Sequence, residues 1–437
     1  MAEDSSTPGL GRELDFWHLV MFGIVYMAPI AGFTLYGWVA LNSNGAAVPA
    51  YLLGAVALAL TANSYGVMGE VAPSAGSAFT YVGVAFGSFF GFVAGWAVIL
   101  DYLLIGALVA LYAAIFLNAA LPAVPVQAWL AAFLLFSTST NLLGIRWSMS
   151  VDIAIAGIQF VFIAVFVWLA TGLIARGGLE PVALWPANVP LSRVAFGAAS
   201  AVISYLGFDA VMTLTEEVRG MAPGRTAGRA ALTAIAVMMA VFVVVTWTLS
   251  MLGQNEPIAD PSSVSFVILA ERLPQLIWPL SLVAALALGF GALVTVHAGV
   301  SRIIFGMARD GQLPAMFSLV HPKSRVPWVA TLVSMLVMAI AAYVALPQVD
   351  LLSGLVSFGA LASFILVNAS VIGYFGVRRH STNLLKHWLL PGAGVLTVGY
   401  VLTSVLPAAL ELGGAWLAGG IMFYLAQRAL RPARVGG

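Results

Sequence analysis

The chain has 437 residues, of which 62% are apolar and only 8% charged, whereas a soluble domain carries about 25% charged residues to coat its surface. Lipid is therefore the natural solvent for most of it. A formal net charge of +1 gives no footing for nucleic acid as a partner, and the absence of cysteine excludes disulfides, thiolate metal sites and thiol catalysis.

The first residues, MAEDSSTPGLGRELD (1–15), are polar and mixed in charge, without the basic region and cleavage site of a signal peptide. They read as a cytoplasmic tail. A helix needs about 20 apolar residues to cross the hydrocarbon core. Runs of that kind predict spans at 16–41, 48–69, 83–117, 125–143, 150–174, 194–218, 230–253, 275–308, 327–346, 350–377, 388–409 and 412–429. The protein is thus expected to be an all-α integral membrane protein of about twelve transmembrane helices. Its parts would be a first five-helix unit (16–174), a second (194–377), two further helices (388–429) and a C-terminal tail (430–437). Within the connection 254–274, VSFVILAERL is expected to form a short helix against the outer face.

With the N-terminus inside and the spans alternating, all but three of the 18 basic residues fall on the cytoplasmic side; Arg176, Arg193 and Arg272 lie outside. That bias predicts cytoplasmic termini, in the cytoplasmic membrane. Span 1 (FGIVYMAPIAGFTLYGW) is interrupted by Pro29 and Gly32, and span 6 (SAVISYLGFDAVMTLTEE) by Gly207 beside an aspartate. Proline removes an amide hydrogen and clashes with the preceding turn. Interrupted helices at matching positions of two halves point to a transporter site, because unwound backbone in a membrane must line a cavity or be buried in protein. Ordinary kinks are the plainer alternative.

A charge inside the membrane costs roughly 3 kcal/mol or more, so intramembrane acids are functional candidates. Two lie deep: Asp101 in WAVILDYLLIG and Asp209 in YLGFDAV, with no Lys or Arg at their depth. An unpaired buried carboxylate either holds a proton or binds a cation. Both options suit a carrier of amines driven by protons, and both residues are candidate proton-coupling groups. A protonated carboxyl bonded to a backbone carbonyl is the structural alternative. Tyr26, Tyr102 and Tyr205 can stack on a cationic ligand, or simply pack. Glu216 and Glu217, near Arg219, Arg225 and Arg229, read as a solvated helix end or a gate latch; Asp152 and Arg146 read as a surface feature. His297 in ALVTVHAGVSR is expected to be neutral and bonded to a backbone group rather than to relay protons. There is no metal-ligand spacing, phosphate-binding glycine loop or nucleophile elbow, so no cofactor, metal or enzyme activity is expected.

Several segments also carry a family resemblance: SYGVMGEVAPSAGSAFTYV (64–82), ILDYLLIG (99–106), ISYLGFDAVMTLTEEV (203–218) and HAGVSRIIFGMARDGQLP (297–314), followed by HPKSRVP. Together they resemble the amino acid–polyamine–organocation transporters, and among them bacterial putrescine importers. The resemblance implies a leucine-transporter-like fold of two inverted five-helix repeats with broken helices 1 and 6, plus two extra C-terminal helices. It implies alternating access around a site formed by helices 1, 3, 6 and 8. Substrate contacts are then expected from Tyr26, from the break comprising Ala28, Ile30, Ala31 and Gly32, and from Thr34, Asp101 and Tyr102. The carbonyls near Ser204, Tyr205 and Gly207, with Phe208 and Asp209, would take the ammonium. Asp209 falls where relatives carry an acid implicated in proton-linked substrate handling, and Asp101-Tyr102 matches the Asp-Tyr pair of the putrescine importers.

Two departures stand out. Those importers carry an aspartate after the phenylalanine of helix 1, where GFTLYG has Thr34; some proton-coupled relatives carry a lysine in helix 5, where AGIQFVF has Gln159. The expected function is a secondary active importer of an amine or amino acid by proton symport. An exchanger is the first alternative, and a channel or a non-transporting sensor the second.

Overall fold

A computed structural model describes residues 14–72, 77–144, 149–176, 182–254 and 258–430. Residues 1–13 and 431–437 of the expected tails, with Arg12 and Arg146, lie outside the described residues, as do the side chains of Asp152 and Glu216. Every named element among the described residues is helical. Among the described residues, eleven helical spans are long and apolar enough to cross a membrane. The expected span at 388–409 is the 14-residue helix α17 (Leu390–Thr403), which continues from a π turn at Leu385–Leu389.

Span 1 is three pieces: α1 (Phe16–Met27), α2 (Ala31–Thr34) and α3 (Tyr36–Asn42). Asp15 caps α1 by accepting from the His18 N–H at 3.0 Å. Span 2 is α4 (Ala47–Val71). The third span begins later than the sequence suggests. Ser77–Phe86 is a separate helix, α5, and the chain turns at Gly87 (φ +93°) into α6 (Ser88–Ala120). The apolar run had hidden that boundary. Next come α7 (Val126–Leu143), α8 (Met149–Ala175), and span 6 as α9 (Leu191–Tyr205) and α10 (Ala210–Thr213). The second half continues with α11 (Pro223–Leu252), the expected short helix as α12 (Val264–Arg272), and α13 (Ile277–Ala284). A π-helical stretch (Ala285–Ala292) joins α13 to α14 (Leu293–Arg309); α15 (Trp328–Ala345), α16 (Val349–Val371) and α18 (Pro407–Leu430) complete the bundle.

Association in lipid rests on close packing and internal polar contacts rather than on a hydrophobic drive. Helices α4 and α11 show the first: a Cβ on Gly228 would sit 2.5 Å from the Gly66 Cα, and one on Gly224 would sit 2.2 Å from the Gly69 carbonyl carbon. Only hydrogen fits between these backbones. The second appears where Asn368 of α16 accepts from the Ser64 hydroxyl (2.7 Å) and donates to the Thr61 hydroxyl oxygen (2.9 Å). Helix α18 docks on α6 through Trp96 and Trp416. Their rings stack at 4.8 Å, and each indole N–H donates to the other's carbonyl (2.9 and 3.0 Å). Outside the bundle core, α12 plugs against span 1: the Ser265 hydroxyl donates to the Phe33 carbonyl at 2.7 Å, and Trp38 Nε1 donates to the Ser262 hydroxyl at 3.3 Å. At the opposite end of span 1, Leu14 forms a parallel bridge with Val218 just after α10.

Candidate substrate site

The two interruptions meet. Pro29 cannot continue α1, and Ala28 takes a left-handed conformation (φ +47°) at its end. Span 6 unwinds after Tyr205 through Gly207 at φ +112°. The Tyr26 ring lies against this glycine, so that an added Cβ there would fall 2.0 Å from Tyr26 Cδ1. The absence of a side chain at residue 207 thus lets the break of span 6 touch span 1.

Backbone donors at the span 1 break are mostly engaged. The N–H of Ala28 donates to the Val25 carbonyl (3.2 Å), and that of Ala31 to the Ala28 carbonyl (2.8 Å). The Ile30 N–H donates to Gln159 Oε1 at 3.0 Å, while Gln159 Nε2 donates to the Ile155 carbonyl at 3.3 Å. Pro29 has no N–H. Of the amides at 28–32, that of Gly32 alone has no partner among the described residues. The break thus leaves little free amide for a substrate group, because a buried glutamine from α8 takes the Ile30 N–H.

Asp209, 5% exposed, lies at the far side of the span 6 break. Its Oδ1 accepts from the Gly207 N–H (3.2 Å) and its Oδ2 from the Tyr102 hydroxyl (3.1 Å). Asp101, 3% exposed, keeps one buried carboxyl oxygen without a partner. Residues adjacent on a helix point about 100° apart. Accordingly Tyr102 turns toward span 6, while the Asp101 backbone packs on Gly359 of α16. Asp101 directly precedes Tyr102, whose hydroxyl holds Asp209, so both acids border one cluster. The Tyr26 hydroxyl is buried and meets no hydrogen-bond partner within normal geometry among the described residues. Neither acid has an ion-pair partner among the described residues.

Beside this cluster lies a small cavity of about 40 Å³. Spans 1, 3, 6 and 8 line it, through residues that include Tyr26, Ala28, Ala31 and Thr34. The π-helical stretch of span 8 contributes Leu288 and Ala292; such local unwinding is frequent at functional sites. Thr34 spends its hydroxyl on the Ala31 carbonyl at 3.3 Å. Asp101, Tyr102 and Asp209 are not among the cavity's lining residues.

Other expected site residues are placed elsewhere. The Tyr205 ring is fully buried against Tyr51 and Phe242, with its hydroxyl donating to the Tyr51 carbonyl at 3.1 Å. It is closed to a ligand. Ser204 meets the Tyr51 hydroxyl at 3.2 Å, and Phe208 packs on Tyr65 and Phe364. The Ile30 side chain is wholly buried as well. From this segment only Ile203 and Leu206 reach the cavity. His297 is satisfied at both nitrogens: Nε2 donates to the Thr331 carbonyl at 3.0 Å, and Nδ1 lies 3.1 Å from the Ser137 hydroxyl. A carbonyl can only accept, so Nε2 carries the proton, as expected for a neutral structural histidine.

Tyr112, whose hydroxyl is buried, is a cavity residue that the sequence reading passed over. The signal was present: Tyr102, Ile105, Val109 and Tyr112 recur at helical spacing on one face of α6.

Comparison with known proteins gives a consistent picture. The family model for amino acid permeases matches residues 18–426. The low-affinity putrescine importer PlaP of Escherichia coli (strain K12) is 30% identical, covering 96% of this chain and 94% of its own. The branched-chain amino acid permease BcaP of Bacillus subtilis (strain 168) is 26% identical over 97% of this chain and 94% of its own. The methylthioribose transporter of the same organism is 27% identical, with 85% and 83% covered.

Proposed function

Since this chain belongs to the amino acid permease family, a family of transporters and not enzymes, we propose that it is a secondary active importer of an amino acid or amine, driven by proton symport. In this reading it spans the cytoplasmic membrane with both termini inside. Its first ten spans form a five-plus-five inverted repeat that alternates access around the cavity, and the last two spans are additions. The observation that carries the reading is the pair of buried, unpaired carboxyls beside the meeting point of two helix breaks. A carboxylate so placed either keeps a proton or exchanges it for a cation. Ammonium binding at the cluster is then linked to proton release, and that linkage is reciprocal.

The roles are assigned residue by residue. Asp209 is the coupling acid, because its oxygens are held by the Gly207 amide and the Tyr102 hydroxyl at the break itself. Asp101, with an unused oxygen, supplies the second negative group. Tyr26 spans the boundary between acids and cavity, and its ring face suits an ammonium. The test is uptake into vesicles with an imposed pH gradient. Accumulation that follows the gradient supports symport; counterflow indifferent to the gradient would make the protein an exchanger instead.

A further inference from the structure

The cavity is chemically lopsided. At one end stands Tyr26, whose ring lies against Gly207, the residue whose N–H donates to Asp209. The remainder is an aliphatic wall that includes Leu35, Ile105, Leu108, Leu206, Leu288 and Val296. Beyond Tyr26 its polar side chains are Thr34, whose hydroxyl proton goes to the Ala31 carbonyl, and Tyr112, and both are neutral. No carboxylate lines it.

Two kinds of cargo fare differently here. A diamine placed with one ammonium at the acids would bury the other against hydrocarbon, with no anion to meet it. A buried charge without a partner is strongly disfavoured. An aliphatic body in the same space gains from every methylene it removes from water, by roughly fourfold in affinity each (about 0.8 kcal/mol). We infer that the cargo carries one ammonium group on an aliphatic body, and that the site selects against diamines. This inference rests on the proposed function, since it takes the cavity and the acid cluster as one substrate site. It sets this chain apart from its putrescine-importing relative, because putrescine has an ammonium at each end. At 30% identity, the fold is retained while the far wall of the site is free to differ.

The test uses the full-length purified chain and ligand-induced shifts in melting temperature, which rise with affinity by mass action. The probes are propylamine, butylamine, pentylamine, 1,4-diaminobutane, 1,5-diaminopentane and L-leucine. The expected result is tighter binding of pentylamine than of 1,5-diaminopentane, by about tenfold or more. Affinity should also rise roughly fourfold per methylene from propylamine to pentylamine. The leucine and pentylamine arms then distinguish an ammonium that carries an α-carboxylate from one that does not. Thr34→Asp should reverse the order by giving the second ammonium an anion; if that variant fails to fold, Val109→Asp on the same wall replaces it. Diamines binding as well as matched monoamines would overturn this inference and leave the permease site standing. No binding of any of the six probes would overturn both.

Discussion

Gly207→Ala is the sharpest test of the proposed site, because the substitution adds one methyl group at the contact between the two helix breaks. Its Cβ would fall 2.0 Å from Tyr26 Cδ1 and 2.6 Å from Tyr26 Cγ, whereas carbon atoms settle at about 3.5–4.0 Å. The ring is half-buried and bordered by Phe22, so it can retreat only by displacing its neighbours. Overpacking of this kind costs roughly 1–3 kcal/mol. Residue 207 also sits at φ +112°, and an L side chain forced into left-handed backbone loses a further 1–2 kcal/mol or so. The sum is about 2–5 kcal/mol, and each 1.4 kcal/mol or so is tenfold. The population with both breaks correctly apposed should fall roughly 30-fold or more. Initial uptake in vesicles should fall in proportion, with a lowered melting temperature. Gly157→Ala is the control: nothing lies within 4 Å of its added Cβ, and it sits inside α8. It should be neutral or stabilising by about 0.5–1 kcal/mol. In the double variant with Tyr26→Ala, stability should partly return while uptake does not. Uptake by Gly207→Ala within twofold of the parent would show that the contact between the breaks does not matter.

Asp209→Asn nearly keeps the shape but removes the exchangeable proton, so the variant should lose accumulation driven by a pH gradient while still catalysing counterflow; unchanged accumulation would move the coupling role to Asp101. Gln159→Leu strands the buried Ile30 N–H and should destabilise the protein by about 1–3 kcal/mol, and Gln159→Glu, which restores an acceptor, should recover most of that in thermal unfolding. Asp15, outside the membrane, has its carboxyl held below the usual range by the hydrogen bonds from His18. A depressed acid stabilises above its unfolded value and loses that effect as pH falls through the folded one, so exchange of the His18 amide should accelerate over that acidic interval in the parent and at all pH values in Asp15→Ala. A reporter fused to the C-terminus should be active on the cytoplasmic side, and activity on the far side alone would contradict the proposed topology.

The spans were legible because the hydrocarbon core imposes a length on every crossing helix, and apolar runs of that length stand out in the sequence. What composition could not mark were boundaries set by backbone geometry. The turn at Gly87 lies inside an uninterrupted apolar run, so α5 and α6 merged in the reading of span 3. The breaks of spans 1 and 6 were legible for the opposite reason: Pro29 and Gly207 leave a chemical trace, a missing amide hydrogen or a missing side chain. The short helix α12 was likewise visible, since VSFVILAER is amphipathic between polar turns.

The site was legible in its charges and much less so in its directions. Asp101 and Asp209 stood out because acids are costly in lipid, and Tyr102, next to Asp101 in the chain, holds Asp209 by a hydrogen bond. Which way a side chain points depends on helix rotation, which neighbouring helices set. Tyr205 looks as promising in sequence as Tyr102, yet one ring is locked between Tyr51 and Phe242 while the other holds Asp209. Gln159 gave no positive signal at all, because a neutral amide in a membrane helix has many partners open to it. Its role depends on Ile30, 129 residues away in sequence, having lost its helical acceptor. The proline that removes one amide hydrogen from span 1 thus leaves the next amide in need of an outside acceptor. A glutamine can supply that acceptor without adding charge, whereas a lysine there could only donate. With Gln159 neutral, the ionisable side chains of the cluster among the described residues remain the acids and the tyrosines.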